Sequence, residues 1–572
     1  MAERLLGLPA LSEVNARSSA GPEGGYAERV LSALDVRVAV GDADLARVPA
    51  SGPLIVVANH PFGAIDGLAL LDVVRRIRGD VRLLANELLI RIPNLRDACL
   101  PVDVFGRAGS ARANAASMNR AVRWLRDQAG ALIVFPAGQV SSITWSNWHV
   151  HDRPWSHHVA VLARLGEASV LPVRIDGRNS ATFQLGGLLS PTLRTLLLPR
   201  EVTNKTGSIV RMTLGAVISP AQLRDAGSDD RAAADYLRAR TDALAARFAT
   251  SARPAPAATP STAIAPPEDA DVVMAELNAL PPECTLSASG SYRVVYLAAP
   301  EAPHALREVG RLREAAFRAV GEGTGRARDL DRFDDSYIHL ICYHAGHRQV
   351  VGAYRLGPTD KLAPTRDVSC LYTSTLFRYG KPLLDEMGPA LELGRSFVRQ
   401  EYQREFAPLS LLWKGIAAFV ARRPHYRVLF GPVSISNRYH SMTRTLLIEF
   451  LRRTRSDDSL AKMIEPRNPP RLPQRGRTWA RWAAAACVRS VEAIEGLVGE
   501  IEADRRGLPV LLRQYLKLDA RLLGFNVDPD FGDALDGLMM VDLTRVSPPL
   551  LARYMGREAL ERYLAHHRSP TQ

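Results

Sequence analysis

His60 lies in the run IVVANHPFGAIDGLALL, directly after an apolar, β-branched segment and before a helical pattern that begins near Asp66. Polar groups at the C-terminal end of a parallel strand are where α/β proteins collect ligands. An imidazole held there could take the proton of an attacking hydroxyl while a carboxylate fixes its ring, the base half of a nucleophilic constellation. The same residues also allow His60 to cap the helix, with Asp66 in solvent. A second candidate is LELGRSFVRQEYQ, Leu391 to Gln403, where Glu392 and Arg395 interrupt a strand-like run. Joining an amine to a thioester needs a neutral amine, an acceptor for its proton and donors for the tetrahedral oxyanion. Glu392 could bind or deprotonate such an amine. Arg395, three positions along a regular strand, is expected on the opposite face, available to a carboxylate or a phosphate. A purely structural reading also fits, with two buried charges that satisfy each other or the backbone.

The elements that must position these residues fall into two halves. Ser251 to Pro267 reads SARPAPAATPSTAIAPP, a tract without large apolar residues that cannot offset the entropy of folding. It predicts a linker over 251–270 between domains at 1–250 and 271–572. Before it, apolar runs at 54–58, 81–85, 100–104, 131–135 and 170–175 alternate with helical patterns at 68–77 and 113–126. That alternation predicts an α/β domain with a largely parallel sheet. After it, the expected order is strand (292–297), helix (305–320), hairpin (337–343 and 350–356), strand (391–398), helix (409–421), strand (428–434) and helix (439–451). Two further helical stretches and a late strand at 538–542 follow, so the second domain is also expected to be α/β.

At 572 residues the chain is too long for one ordinary core, and its 47% hydrophobic and 23% charged residues exclude a disordered or fibrous main state. A formal charge of +13 favours acidic partners. Five scattered cysteines without a CxxC pair indicate neither a disulfide framework nor a zinc cluster, so a reducing compartment is expected. The first residues lack a basic segment followed by a sustained apolar core, and no run approaches the length of a membrane-spanning helix.

Further segments give the first half a family resemblance. His60 and Asp66, Leu100-Pro-Val-Asp-Val-Phe-Gly-Arg107, Phe135-Pro-Ala-Gly138 and Val170-Leu-Pro172 occur in the order and spacing of the glycerolphosphate and lysophospholipid O-acyltransferases. Two departures stand out. Five residues separate His60 from Asp66 where the family has four, so the loop at Gly63 must absorb one extra, and Ala137 replaces a Glu. The resemblance implies that His60 is the general base and Asp66 its orienter. It also implies that Asn59, Arg107, Phe135, Pro136 and Gly138 contact the acceptor, Arg107 through an anionic headgroup. The lost Glu implies a different acceptor polar group, or a role moved to Gln139, Ser141 or Ser142. The segment WSNWHVHDRPWSHH contains His149, His151, His157 and His158. Without a completing Cys or carboxylate cluster it is read as a headgroup rim, and no metal is assigned.

The second half has the element order of the GNAT superfamily, in which two central strands splay apart around a pantetheine arm. LELGRSFVRQEYQ, LLWKGIAAFV, VLFGPVSISNRYH and the tail from Gly507 to Leu543 resemble the N-acyltransferases that make lyso-ornithine lipid and, more distantly, acyl-homoserine lactone synthases. On that resemblance Glu392 meets the amine and Arg395 an anion. The absence of an Arg/Gln-x-x-Gly-x-Gly/Ala loop after Val398 favours acyl carrier protein over coenzyme A as donor.

From Arg452 to Trp482 nine basic and three acidic residues surround four prolines and end in Trp479 and Trp482, and the next helix carries Val491, Ile494, Leu497 and Ile501 at helical spacing. These features suit an anionic bilayer or an acidic carrier protein, with an ordinary packed amphipathic helix as the alternative. No nucleic-acid motif accompanies the charge. Together the resemblances imply a bifunctional ornithine lipid synthase: a cytoplasmic enzyme peripheral on the inner membrane, with no bound cofactor. The second domain would N-acylate ornithine with a 3-hydroxyacyl group from acyl carrier protein, and the first would O-acylate the lyso-lipid. Glycine or glutamine as acceptor, and a non-catalytic membrane- or carrier-binding scaffold, are the alternatives.

Overall fold

The computed structural model describes residues 8–19, 25–87, 92–103, 110–145, 147–248, 262–405, 407–472, 474–487 and 490–568. The chain divides into two compact units, residues 1–250 with 482–507, and residues 251–481 with 508–572. The segment 482–507, which the sequence groups with the second half, therefore packs in the first unit.

The first unit is built on seven strands: β1 (Arg37–Ala39), β2 (Leu54–Ala58), β3 (Val81–Asn86), β4 (Cys99–Val102), β5 (Ala131–Val134), β8 (Ser169–Ile175) and β9 (Ile209–Leu214). Their order in the sheet is β1-β9-β8-β2-β5-β3-β4. All neighbours are parallel except β8 and β9. Leu54 to Ala58 are all buried, as a central parallel strand covered on both faces requires. A separate hairpin, β6 (Ser142–Thr144) and β7 (Asn147–His151), follows β5.

Helix Val491–Ile501 buries Ala493, Ile494, Leu497, Val498 and Ile501 in this unit. Glu500, 1% exposed, pairs with Arg240 of helix Asp230–Ala243 and accepts the Ala216 amide at 2.9 Å. The Arg247 guanidinium donates to the carbonyls of Glu500 and Gly499. Trp482 lies beneath the Arg238 guanidinium. Of the two expectations for this helix, the packed one holds and the interfacial one does not: its apolar stripe is core, fixed by a buried ion pair.

The second unit has an eight-stranded sheet in the order β10-β11-β12-β13-β15-β16-β19-β18. Its strands are β10 (Thr285–Ser289), β11 (Tyr292–Ala298), β12 (Ile338–His344), β13 (Gln349–Pro358), β15 (Ala390–Val398), β16 (Val428–Ile435), β18 (Arg521–Asp528) and β19 (Ala534–Asp542). A small ribbon of β14 (Phe377–Tyr379) and β17 (Ile464–Pro466) stands apart. The predicted hairpin is β12–β13, and the predicted helices correspond to Pro303–Val320, Ala407–Ala421 and Ser441–Thr454. The late strand is one arm of a hairpin, β18–β19, that extends the sheet beyond β16. The end of the expected linker is pinned: Thr262 donates to Gly325 and Ala265 to Ala327.

The middle of this sheet parts. β15 and β16 run parallel and pair only over Ala390↔Val428, Leu391↔Leu429 and Glu392↔Phe430. Where they diverge, a Cβ on Gly431 would lie 2.0 Å from the Leu393 carbonyl oxygen, so only glycine fits. Beyond that point each strand keeps an edge that, among the described residues, no other strand pairs.

Candidate active sites

In the first unit the turn after β2 brings the predicted pair together. Gly63, at φ +91°, caps helix Ala64–Arg75 in a conformation reserved for glycine, which is how the loop accommodates its extra residue. Asp66, in the first turn of that helix, accepts the amides of Phe62 at 2.9 Å and Gly63 at 3.0 Å. The same carboxylate oxygen stands 2.9 Å from His60 Nδ1. Asp66 is fully buried whereas the His60 side chain keeps 18% of its exposure, so the ring is clamped from behind and open in front. Burial raises the Asp66 pKa, and the imidazole and the two amides draw it back down. Phe135 stacks on the ring with centroids 4.1 Å apart.

The other predicted contacts divide. Asn59 is buried; its amide nitrogen donates to the Ile175 carbonyl at 2.9 Å and its oxygen accepts the Ile175 amide at 2.7 Å. Both ends of Asn59 tie β2 to β8, so it braces the strand that carries His60. Pro136 is buried, its carbonyl taken by the Ser156 amide, and Gly138 turns at φ +64° with its amide on the Phe135 carbonyl. Arg107 lies outside the described residues. Around Ala137, Gln139 and Ser142 accept from buried Arg194 at 2.7 and 3.2 Å, and Ser141 donates to Asp152. Asp152 also accepts the His60 amide at 3.3 Å and the Trp155 indole at 3.1 Å. Arg194 and Asp152 were missed because their spacing to His60 exists only after folding. Lys205 sits 4.7 Å over the Phe62 ring, and burial lowers its pKa.

In the second unit Glu392 is 1% exposed. Its carboxylate accepts the Tyr337 hydroxyl and the amides of Thr373 at 2.6 Å and Tyr372 at 3.2 Å. Burial raises its pKa against these donors. Arg395 is at φ +49°, within a register irregularity against β13. That bulge overturns the expected opposite-face placement, because Arg395 donates to the Tyr372 hydroxyl at 3.1 Å and so reaches the same tyrosine as Glu392. Its guanidinium is 3.2 Å from Asp329 and 3.6 Å from Asp331, which occupies the charge offered to a substrate anion. Arg313 and Arg355 complete a buried lattice with Asp334 and Asp331. Asp334 is held well below the usual carboxylate range by these cations.

Three further acids lie beside this lattice, where Arg395 also acts on Asp528 and Asp536, and Arg438 on Glu322. Asp536 on β19 accepts the Ser434 hydroxyl of β16 at 2.7 Å, and burial pushes its pKa up to about 7. Glu322, buried at the loop that follows helix Pro303–Val320, is pushed up to about 8 by burial and by Asp536. Asp528, at the end of β18, is also raised by burial. The loop at Gly532 brings these elements together: a Cβ there would lie 2.2 Å from the Gly321 carbonyl and 3.8 Å from Glu322 Cα. A carboxylate in a strand as apolar as ALDGLMMVD was the available signal.

Residues 33–250 match the family model of an acyltransferase, and residues 312–414 match that of the acetyltransferase (GNAT) domain. A glycine N(alpha)-acyltransferase of Bacteroides thetaiotaomicron is 31% identical over 245 residues, 41% of this chain and 72% of that protein. The chain belongs to that acyltransferase family. The corresponding protein of Phocaeicola vulgatus is 28% identical over 259 residues, 43% of this chain and 78% of its own length. A lyso-glycine lipid O-acyltransferase of B. thetaiotaomicron is 31% identical over 159 residues, 28% of this chain, which spans about half (55%) of that relative. The chain is therefore an acyltransferase that joins an acyltransferase-like unit to a GNAT domain.

Proposed function

We propose that this protein is a two-step aminolipid synthase: the second unit forms an amide between an amino acid and a 3-hydroxyacyl group, and the first esterifies that hydroxyl. The observation that carries the reading is His60 poised 2.9 Å from a buried Asp66 while its other face stays accessible, the arrangement a hydroxyl acceptor needs. Amide formation belongs at the gap between β15 and β16, where unpaired strand edges offer hydrogen bonds to an extended thioester arm and Asp536 and Glu322 can receive the amine proton. Glu392 serves there as a buried organiser of the 371–375 loop, with Arg395 fixing the acidic loop at 329–334.

Ornithine is the acceptor in this reading, and acyl carrier protein the donor. The surplus of carboxylates at Glu322, Asp528 and Asp536 supports an amino acid with a second ammonium group, whose charge would relieve their mutual repulsion. Glycine is the second reading, favoured by the names of the relatives. The test is expression in a host that lacks aminolipids, with labelled amino acids supplied and lipids extracted. Labelled ornithine in a diacyl lipid is expected; label from glycine alone would replace the first reading by the second, and no amide lipid at all would overturn both.

A further inference from the structure

We propose that one face of the first unit is a docking surface for an anionic bilayer, formed by the tip of the β6–β7 hairpin and the helices Ala181–Leu189 and Pro191–Leu196. Its purpose rests on the O-acylation reading above; its geometry does not. Trp145 and Trp148 are 69% and 62% exposed, their rings edge to face with centroids 6.2 Å apart. Leu189 is 78% exposed, and Leu185, Leu193 and Leu196 also stand in solvent. The Ile143 amide donates to Gln184 at 3.1 Å, and Arg194 reaches Gln139 and Ser142, so hairpin and helices make one continuous surface. Apolar patches of this kind on a folded unit mark contact sites, and Trp favours a boundary that is apolar on one side and wet on the other.

Charge selects the occupant. Within 138–158 and 177–207 the only carboxylates are Asp152 and Glu201, and both are buried. Arg153 and Arg178 are exposed in the same segments. Exposed cations beside an apolar centre, with no carboxylate exposed within these two segments, match a lipid surface carrying negative headgroups. Behind this surface the packing reaches the turn beside His60: Val140, Phe183 and Leu197 form one buried cluster with Leu198, and a Cβ on Gly63 would lie 3.4 Å from both Val140 and Leu198.

The test is co-flotation of the full-length protein with vesicles of phosphatidylcholine, with and without phosphatidylglycerol. The wild type is expected to float with the anionic vesicles and to be released by high salt. Trp145→Ala with Trp148→Ala should lower the partition about tenfold or more, the consequence of removing two large apolar side chains from the interface. Leu189→Ser, an exposed position whose change does not disturb the core, should lower it less, with an unchanged melting temperature. Equal flotation of wild type and double variant would overturn the proposal, as would a concentration-dependent dimer that the double variant dissolves in the absence of lipid. Vesicle binding without ester formation would uphold this surface and instead remove the O-acylation reading.

Discussion

At the scale of single residues, the proposed reactions draw on different proton acceptors in the two units. In the proposed ester step the acceptor is the His60 imidazole, whose ring Asp66 orients from 2.9 Å. His60→Ala is expected to leave amide formation intact and to lower ester formation by about 10²-fold or more, so that the monoacyl lipid accumulates; unchanged diacyl product would remove its role. In the second unit, burial and a neighbouring carboxylate push Asp536 up to about 7 and Glu322 up to about 8. Since a protonated carboxyl accepts no proton, amide formation should fall as pH falls through about 8 to about 7, the values set for Glu322 and Asp536. Asp536→Asn removes the charge that raises Glu322, so the acidic limb of its rate profile should move to lower pH. A limb that stays in place, measured on purified enzyme with saturating thioester, would show that another group accepts the proton.

The elements divide into those whose reasons are local and those whose reasons are not. β2, β5 and β8 were legible because strands buried on both faces read as unbroken apolar runs, and the His60–Asp66 pair was legible because helix and turn bring both ends of a short segment together. Arg395 was placed on the wrong face because alternation assumes a regular strand, and a bulge stabilised by a lattice of buried aspartates cannot be read from period two. The sequence left helix Val491–Ile501 open between an interfacial and a packed helix because an amphipathic stripe looks the same against protein or lipid; the buried Glu500 at its end decides for packing. Glu500→Ala would leave Arg240 buried without its carboxylate and should cost about 3–5 kcal/mol in chemical denaturation. Replacing the pair by Arg240→Met with Glu500→Leu should recover most of that loss, whereas equal destabilisation by both variants would mean that packing, not charge, fixes this helix.

At the scale of the molecule, the path of the chain matters more than the tract at 251–261. The first unit takes most of its residues from 1–250, yet it is completed by 482–507, a segment that follows residues 251–481 of the second unit in the chain. A fragment of residues 1–250 therefore lacks the partner of Arg240 and exposes the surface that Ile494, Leu497 and Val498 cover. Such a fragment is expected to aggregate or to melt far below the full-length protein. Because the missing segment is supplied by the other part of the chain, cleavage engineered within 251–261 should leave the two fragments associated, with ester formation retained on supplied lyso-lipid. Separation of the fragments on size exclusion without denaturant, or a cooperatively folded and active 1–250, would refute this division of the chain. If association holds, the length of the tract can be varied with little effect on either single step, since loop-closure entropy changes only logarithmically with length. Only the transfer of the monoacyl intermediate between the steps would then respond to lengthening, through a lower effective concentration, and the ratio of monoacyl to diacyl lipid in cells is the quantity that would report it.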